Sequence, residues 1–297
     1  MSFIMRTSPL SDIIASCGLI FNDAGSANIM LSWLMGEARN YPIYASGPAL
    51  RLLKSEIYRD LNVTAVHSIE SLVEQVEIVI TGTGWQSASE ITGIHLARKL
   101  GKPCIAILDH WVNYRDRFFV NGRLVLPNEI WVTDEWAFEL ASSEFPSTPI
   151  KLKKNFYAEA IIEKIGSYDP VNNRLLYLGE PIRKIKDPIL NPEMKAYQYF
   201  VENAPLIDLD LESMDIHIRA HPSQKPEFYT RWKSRYPQLH FPSQHQPLEQ
   251  AIGEASVVVG MNSFGLFLAA QARKKTISAV PIWAPSCTVP HKEIISI

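Results

Sequence analysis

The sequence predicts an α/β protein built from two Rossmann-like, doubly wound domains that face a cleft. Three observations carry that expectation. Short apolar runs alternate with helix-period segments along almost the whole chain. The runs are nearly continuous in Val, Ile, Leu and small residues, as parallel strands buried on both faces are. A chain of 297 residues is long for one hydrophobic core and suits two domains of about 150 residues each.

Ile13 to Phe21 (IIASCGLIF) is the first such run and ends at Asn22-Asp23-Ala24-Gly25-Ser26. Ser26 is placed to cap a helix over Ala27 to Met35, which Gly36 closes. An extended piece at Tyr41 to Ala45, a helix over Pro48 to Asp60, a strand at Thr64 to Val66 and a helix over Ser68 to Gln75 follow. Glu77 to Thr81 reads as a strand that turns through Gly82-Thr83-Gly84. Ser87-Ala88-Ser89-Glu90 spells a capping box, in which the Glu returns to the N-cap amide, at the head of a helix that runs to Leu100. Pro103 to Leu108 is a buried strand ending on Asp109-His110-Trp111. Glu129 to Val132 is another, after which Asp134 and Glu135 suit a helix N-terminus.

Gly166-Ser167-Tyr168-Asp169-Pro170-Val171-Asn172-Asn173 is dense in turn formers and lies between two periodic segments. It divides the chain into domains 1–166 and 167–297. Beyond it the alternation restarts: strand Arg174 to Gly179, helix Pro192 to Asn203, strand Asp215 to Ala220, helix Pro226 to Tyr236 and strand Leu239 to Phe241. A helix with Pro247 at its first position, strand Ser256 to Gly260, helix Phe264 to Ala272 and strand Thr276 to Val280 complete the second set.

Composition narrows the function classes. A formal charge of -2 gives no general attraction to nucleic acid, whose binders concentrate basic charge. Three cysteines, Cys17, Cys104 and Cys287, are too few and too far apart for a disulfide framework or a zinc site, and fit a reducing cytoplasm. No apolar run has the eighteen or so residues that span a bilayer, so any membrane contact is expected to be peripheral. Asp208-Leu209-Asp210 spells a D-x-D, but it lies in a polar connection and is set aside; no metal and no bound cofactor are expected.

The residues able to carry chemistry sit at strand ends, where open α/β sheets bind ligands. Arg219 and His221 are two apart and share a face, and Pro222 keeps His221 extended, so its imidazole can donate to an anion with Lys225 nearby. Gly260-Met261-Asn262-Ser263 ends a strand and opens a helix, where free amides, the helix dipole and the Ser263 hydroxyl favour an anion. Asp23 stands at the mouth of the first strand. Asp109 and His110 end another and could take a proton from a hydroxyl.

In this order and spacing, RAHPSQKPEFY followed by LEQAIGEASVVVGMNSFGLFLAAQARKKTISAVP resembles the C-terminal half of bacterial GT-B-fold glycosyltransferases of the polysialyltransferase, sialyltransferase and capsule-polymerase type. The resemblance covers about a third of the chain. It implies that His221, Pro222 and Ser263, with Asn262 beside it, bind the phosphates of a CMP- or UDP-type nucleotide-sugar. It further implies a glycan acceptor of surface-polysaccharide or lipopolysaccharide type. That group also carries a paired-acid-glycine motif whose second acid is the general base. The nearest match here is Asn22-Asp23-Ala24-Gly25, with one acid and an inserted Ala. A nucleotide-sugar epimerase or hydrolase of the same fold, and a non-catalytic nucleotide-binding subunit of polysaccharide assembly, are the alternatives. Relatives of this fold cross back to the first domain near their C-terminus, and an end at Ile297 suggests a minimal or truncated chain.

Overall fold

The computed structural model describes residues 7–84, 87–120, 122–182, 192–221, 224, 226–241 and 246–297, without the side chains of residues 226, 228 and 229. The chain forms two compact units, Met1–Tyr157 and Ala158–Ile297. Their division lies at the head of a helix, upstream of the turn-rich stretch at which the sequence placed it.

In the first unit β1 (Cys17–Phe21), α1 (Ala24–Leu34), β2 (Tyr41–Ala45), α2 (Gly47–Leu53), β3 (Val63–Ala65), α3 (Ile69–Gln75), β4 (Ile78–Thr81), α4 (Ser89–Lys99) and β5 (Cys104–Ile107) follow one another. A small antiparallel hairpin, β6 (Phe119–Val120) and β7 (Arg123–Leu124), precedes β8 (Glu129–Val132), α5 (Glu135–Glu144) and β9 (Ile150–Leu152); α6 (Phe156–Ile165) follows, and all but its first two residues belong to the second unit. The seven-stranded sheet is parallel throughout, in the order β3-β2-β1-β4-β5-β8-β9. That order reverses between β1 and β4. Every residue of β1 is buried, because helices cover both faces of a doubly wound sheet. Its core joins Leu19, Phe21, Met30, Trp33, Ile43 and Trp131. Trp33 is fully buried, and its indole N–H is satisfied by the Lys154 carbonyl at 2.8 Å.

The second unit contains β10 (Arg174–Leu178), α7 (Pro192–Asn203), β11 (Asp215–Arg219), α8 (Pro226–Arg235), α9 (Leu248–Glu254), β12 (Val257–Gly260), α10 (Phe264–Gln271), β13 (Lys275–Ser278) and β14 (Ile295–Ser296). Its five strands are parallel, ordered β11-β10-β12-β13-β14, so the reversal falls between β10 and β12. An aromatic cluster under α7 and α8 fills one side: Tyr197 lies 5.1 Å from Tyr177 and 5.3 Å from Trp232, both edge-on.

Several expectations are corrected. The first strand starts at Cys17, and Ile14 is almost fully exposed. The helix after it begins a turn early, capped by Asp23 through a 2.7 Å bond from the Ala24 amide, so Ser26 is a buried first-turn residue. Pro247 is the N-cap of α9 and not its first residue. Leu239 to Phe241 contributes only an isolated bridge between His240 and His217. The hairpin and the terminal strand β14 are additions that two-residue length hides from pattern reading.

Candidate functional site

The first unit gathers its chemistry where its sheet reverses. The turn after β1 carries Asp23, the turn after β4 carries Gly82, Thr83 and Gly84, and the loop after β5 carries Asp109 and His110. Gly25, Gly82 and Gly84 let these turns close up. A Cβ on Gly25 would lie 1.9 Å from Asp109 Oδ2; one on Gly82 would lie 2.2 Å from Ser26 Oγ and 2.5 Å from Glu90 Oε1. No side chain fits there.

Glu90 is the residue that sequence reasoning misplaced. Its capping-box role would send the carboxylate to its own helix start, but α4 begins at Ser89 with Ala88 as N-cap and no side-chain cap bond. Glu90 instead turns inward, 1% exposed, and accepts the Asn22 amide at 3.0 Å. Its other oxygen has no hydrogen-bond partner among the described residues, as is also true of the buried Ser26 and Thr81 hydroxyls. Burial pushes the Glu90 carboxyl up to about 7, with the charges of Asp23 and Asp109 adding to the shift.

Asp23 is half-buried; burial first, and then the negative charge of Asp109, raise its pKa. Asp109 is engaged elsewhere. Its Oδ1 accepts from Arg117 Nη1 at 2.8 Å, in a pair whose side chains are only 4% and 8% exposed. The same guanidinium group donates to the Thr83 carbonyl at 3.1 Å and, through Nε, to the Val112 carbonyl. Arg117 thereby ties the β4 turn to the β5 loop. His110 accepts the Trp111 amide on Nδ1 at 3.0 Å, and burial lowers its pKa despite the neighbouring Asp109. A neutral imidazole with Nδ1 accepting carries its proton on Nε2, which makes His110 a donor in this arrangement. Beside it a shallow hollow of about 280 Å³ is lined by Trp111, Tyr114, Asp116 and Glu144. Trp111 and Tyr114 are largely buried and Trp131 packs edge-on against Trp33, so these aromatics serve chiefly as core.

In the second unit, the reversal between β10 and β12 brings together Glu180 and the start of α10. Glu180 accepts the amides of Met261 at 3.1 Å and Asn262 at 2.6 Å. Those are the amides that the sequence assigned to a bound anion, and an internal carboxylate holds them. Burial pushes Glu180 up to about 7 even though both amides favour its ionised form. The Asn262 side chain accepts from the Thr288 amide at 2.9 Å and its hydroxyl at 3.0 Å, pinning the segment that leads to β14. Ser263 is the N-cap of α10 without a side-chain cap bond, and its buried hydroxyl has no partner among the described residues. Gly260 closes β12 against Leu178 and Leu266, so its missing side chain serves apolar packing.

Arg219 ends β11 and donates to the Gln246 carbonyl at 2.8 Å; His221 lies two residues on and is exposed. Pro222 and Lys225 lie outside the described residues. Sequence reasoning missed Glu90, Arg117 and Glu180. Glu90 sat in a plausible capping motif, and nothing local marks an Arg in Asp116-Arg117-Phe118 or a Glu in Gly179-Glu180-Pro181 as bonded to groups remote in sequence.

No protein family and no curated protein sequence matches the chain. Solved structures do match in fold. The UDP-GlcNAc 2-epimerase from Methanocaldococcus jannaschii has a TM-score of 0.59 at 13% identity, over 95% of this chain and 88% of that one. A putative UDP-N-acetylglucosamine 2-epimerase from Listeria monocytogenes has a TM-score of 0.59 at 12% identity, over 89% and 78%. An alpha/beta-galactoside alpha-2,3-sialyltransferase from Photobacterium phosphoreum has a TM-score of 0.53 at 11% identity, over 95% and 98%. At such identities the likeness is one of fold, and it makes the chain an α/β protein of two Rossmann-like units in the GT-B-like class.

Proposed function

We propose that the chain is a glycosyltransferase that moves a sugar from a CMP- or UDP-type nucleotide-sugar to a glycan acceptor of surface-polysaccharide type, by direct displacement without a metal. The observation that carries this reading is Asp23: a half-buried acid at the strand reversal of the first sheet, with its proton affinity raised by burial and by Asp109. A general base works best when its pKa approaches the working pH. In the reaction Asp23 takes the acceptor hydroxyl proton as the oxygen attacks the anomeric carbon, and the bond from that carbon to the donor phosphate breaks. His221 and the Ser263 hydroxyl, with the N-terminus of α10, stabilise the charge that develops on the departing phosphate. The buried Ser263 hydroxyl, without a partner among the described residues, supports that role.

A second reading, a nucleotide-sugar epimerase or hydrolase, is favoured by Glu90 lying near Asp23. Two acids with raised proton affinity also suit proton exchange on one sugar. A thermal-shift panel of CMP, CDP, UDP, GDP and their sugars tests the binding claim, since a ligand of the native state raises stability by mass action. Stabilisation by a cytidine or uridine nucleotide, reduced in Ser263→Ala and His221→Ala, is expected. A flat panel refutes the nucleotide site. Incubating the stabilising donor with and without a glycan acceptor then separates the readings: epimerised or free sugar without acceptor identifies the second, and donor consumed only when acceptor is present identifies the first.

A further inference from the structure

Behind Asp23 stands an acid that the proposed chemistry does not touch. Glu90 is 1% exposed and lies in the first turn of α4. One oxygen accepts the amide of Asn22, the residue immediately before Asp23, and the other is buried with no partner among the described residues. A Cβ on Gly84 would lie 2.6 Å from Glu90 Oε2 and 3.0 Å from Asp23 Cβ, so the two acids approach across a glycine with no side chain between them.

The local charge balance decides how they share protons. Asp23, Glu90 and Asp109 are three carboxyls, and among the described residues Arg117 is the cation beside them. Arg117 is bonded to Asp109 at 2.8 Å, and among the described residues Asp23 and Glu90 have no counter-ion of their own. Two like charges in a buried setting repel strongly, and one of the pair keeps its proton. Asp23 is the more exposed and already accepts the Ala24 amide. Glu90 has the oxygen without a hydrogen-bond partner among the described residues, where a carboxyl hydrogen can sit; the groups facing it are the backbone amides of Asn22 and Asp23, which favour its ionised form, and the carboxylates of Asp23 and Asp109, which oppose it together with burial.

We propose that Glu90 is the positioning residue of the Asp23 site: as a neutral carboxylic acid it holds the turn that carries Asp23 and leaves Asp23 as the member of the pair that ionises. The idea rests on the reading of Asp23 as base. Burial, which lifts Glu90 to about 7, agrees with it.

Isotope-edited infrared titration of the intact chain, with labelled Glu and Asp, tests the assignment without any donor, so its outcome is separable from that of the nucleotide panel. Wild type, Glu90→Gln and Asp23→Asn are compared between about pH 4 and pH 9, and the signal of Glu180, common to all three, is subtracted. A protonated Glu signal that persists towards neutrality in wild type, is lost in Glu90→Gln and is kept in Asp23→Asn is expected. The Asp23 midpoint stays where it was in Glu90→Gln, because a neutral amide replaces a neutral acid. A persistent signal in labelled Asp that vanishes in Asp23→Asn overturns the assignment. So does the absence of any protonated Glu signal near neutrality, or a clear fall of the Asp23 midpoint in Glu90→Gln. Should Glu90→Gln not fold, Glu180→Gln is added to wild type and to Asp23→Asn to remove the other raised Glu, and the presence or absence of the remaining protonated Glu signal in both decides.

Discussion

Arg117 and Asp109 form a 2.8 Å ion pair that is all but sealed from solvent, and the same guanidinium group holds the Thr83 carbonyl. Two loops from neighbouring strands are thus joined through one cation. Removing a single partner from such a pair leaves an uncompensated buried charge, which costs about 3–5 kcal/mol. Arg117→Met should therefore lose stability on that scale in urea unfolding. Asp109→Asn combined with it should recover part of the loss. A cost below about 1 kcal/mol, the usual worth of an exposed pair, would show that the pair is not sealed in solution.

Gly25 tests the close approach of the first helix to the β5 loop. Ala is ordinarily the better helix residue by about 1 kcal/mol, so open space would make Gly25→Ala stabilising. Its Cβ would instead lie 1.9 Å from Asp109 Oδ2, an atom of a carboxylate held by Arg117 that cannot yield freely. Overpacking of this kind costs about 1–3 kcal/mol and wins. A fall in the unfolding midpoint is expected, and a rise would refute the packing described.

Lys102 places its ammonium 2.7 Å from each of three carbonyls, those of Val73, Glu74 and Val76, at the end of α3. A cation there satisfies orphan carbonyls and opposes the helix dipole. Lys102→Met keeps the aliphatic stem and removes only the donor. A loss of about 1–2 kcal/mol follows, with faster amide exchange confined to α3 and β4; an unchanged exchange pattern would contradict it.

Glu180 makes the second unit pH-dependent. Its carboxyl is pushed up to about 7, so the neutral form dominates below that pH and the anion above it. The anion holds the Met261 and Asn262 amides more strongly and repels any phosphate that approaches them. The folded-state pKa is raised, so the contribution to stability is fullest below the ordinary Glu range and is lost as pH rises through about 7. On the proposed function, nucleotide affinity falls several-fold between pH 6 and pH 8, and Glu180→Gln flattens that dependence. Calorimetric titration of UDP and CMP at both pH values checks it, and equal slopes in wild type and variant would remove Glu180 from the account.

The fold was largely legible from local pattern. Runs such as Val257 to Gly260 are apolar on both faces, and turn formers punctuate them, so strand and helix alternate visibly. Those patterns also put Asp23, Asp109, His221 and Ser263 at strand ends. What each of these does there depends on partners remote in sequence. Ser87-Ala88-Ser89-Glu90 satisfies a local capping rule, yet Glu90 bonds Asn22, 68 residues away. Gly260-Met261-Asn262 offers amides to an anion, and Glu180, more than 80 residues earlier, takes them. The sequence by itself determined the two parallel α/β units, because periodicity is a property of neighbours along the chain. Only the tertiary structure decided which acids are buried, which is paired with Arg117 and which remains half-exposed, because burial and charge are set by what the fold brings together across it.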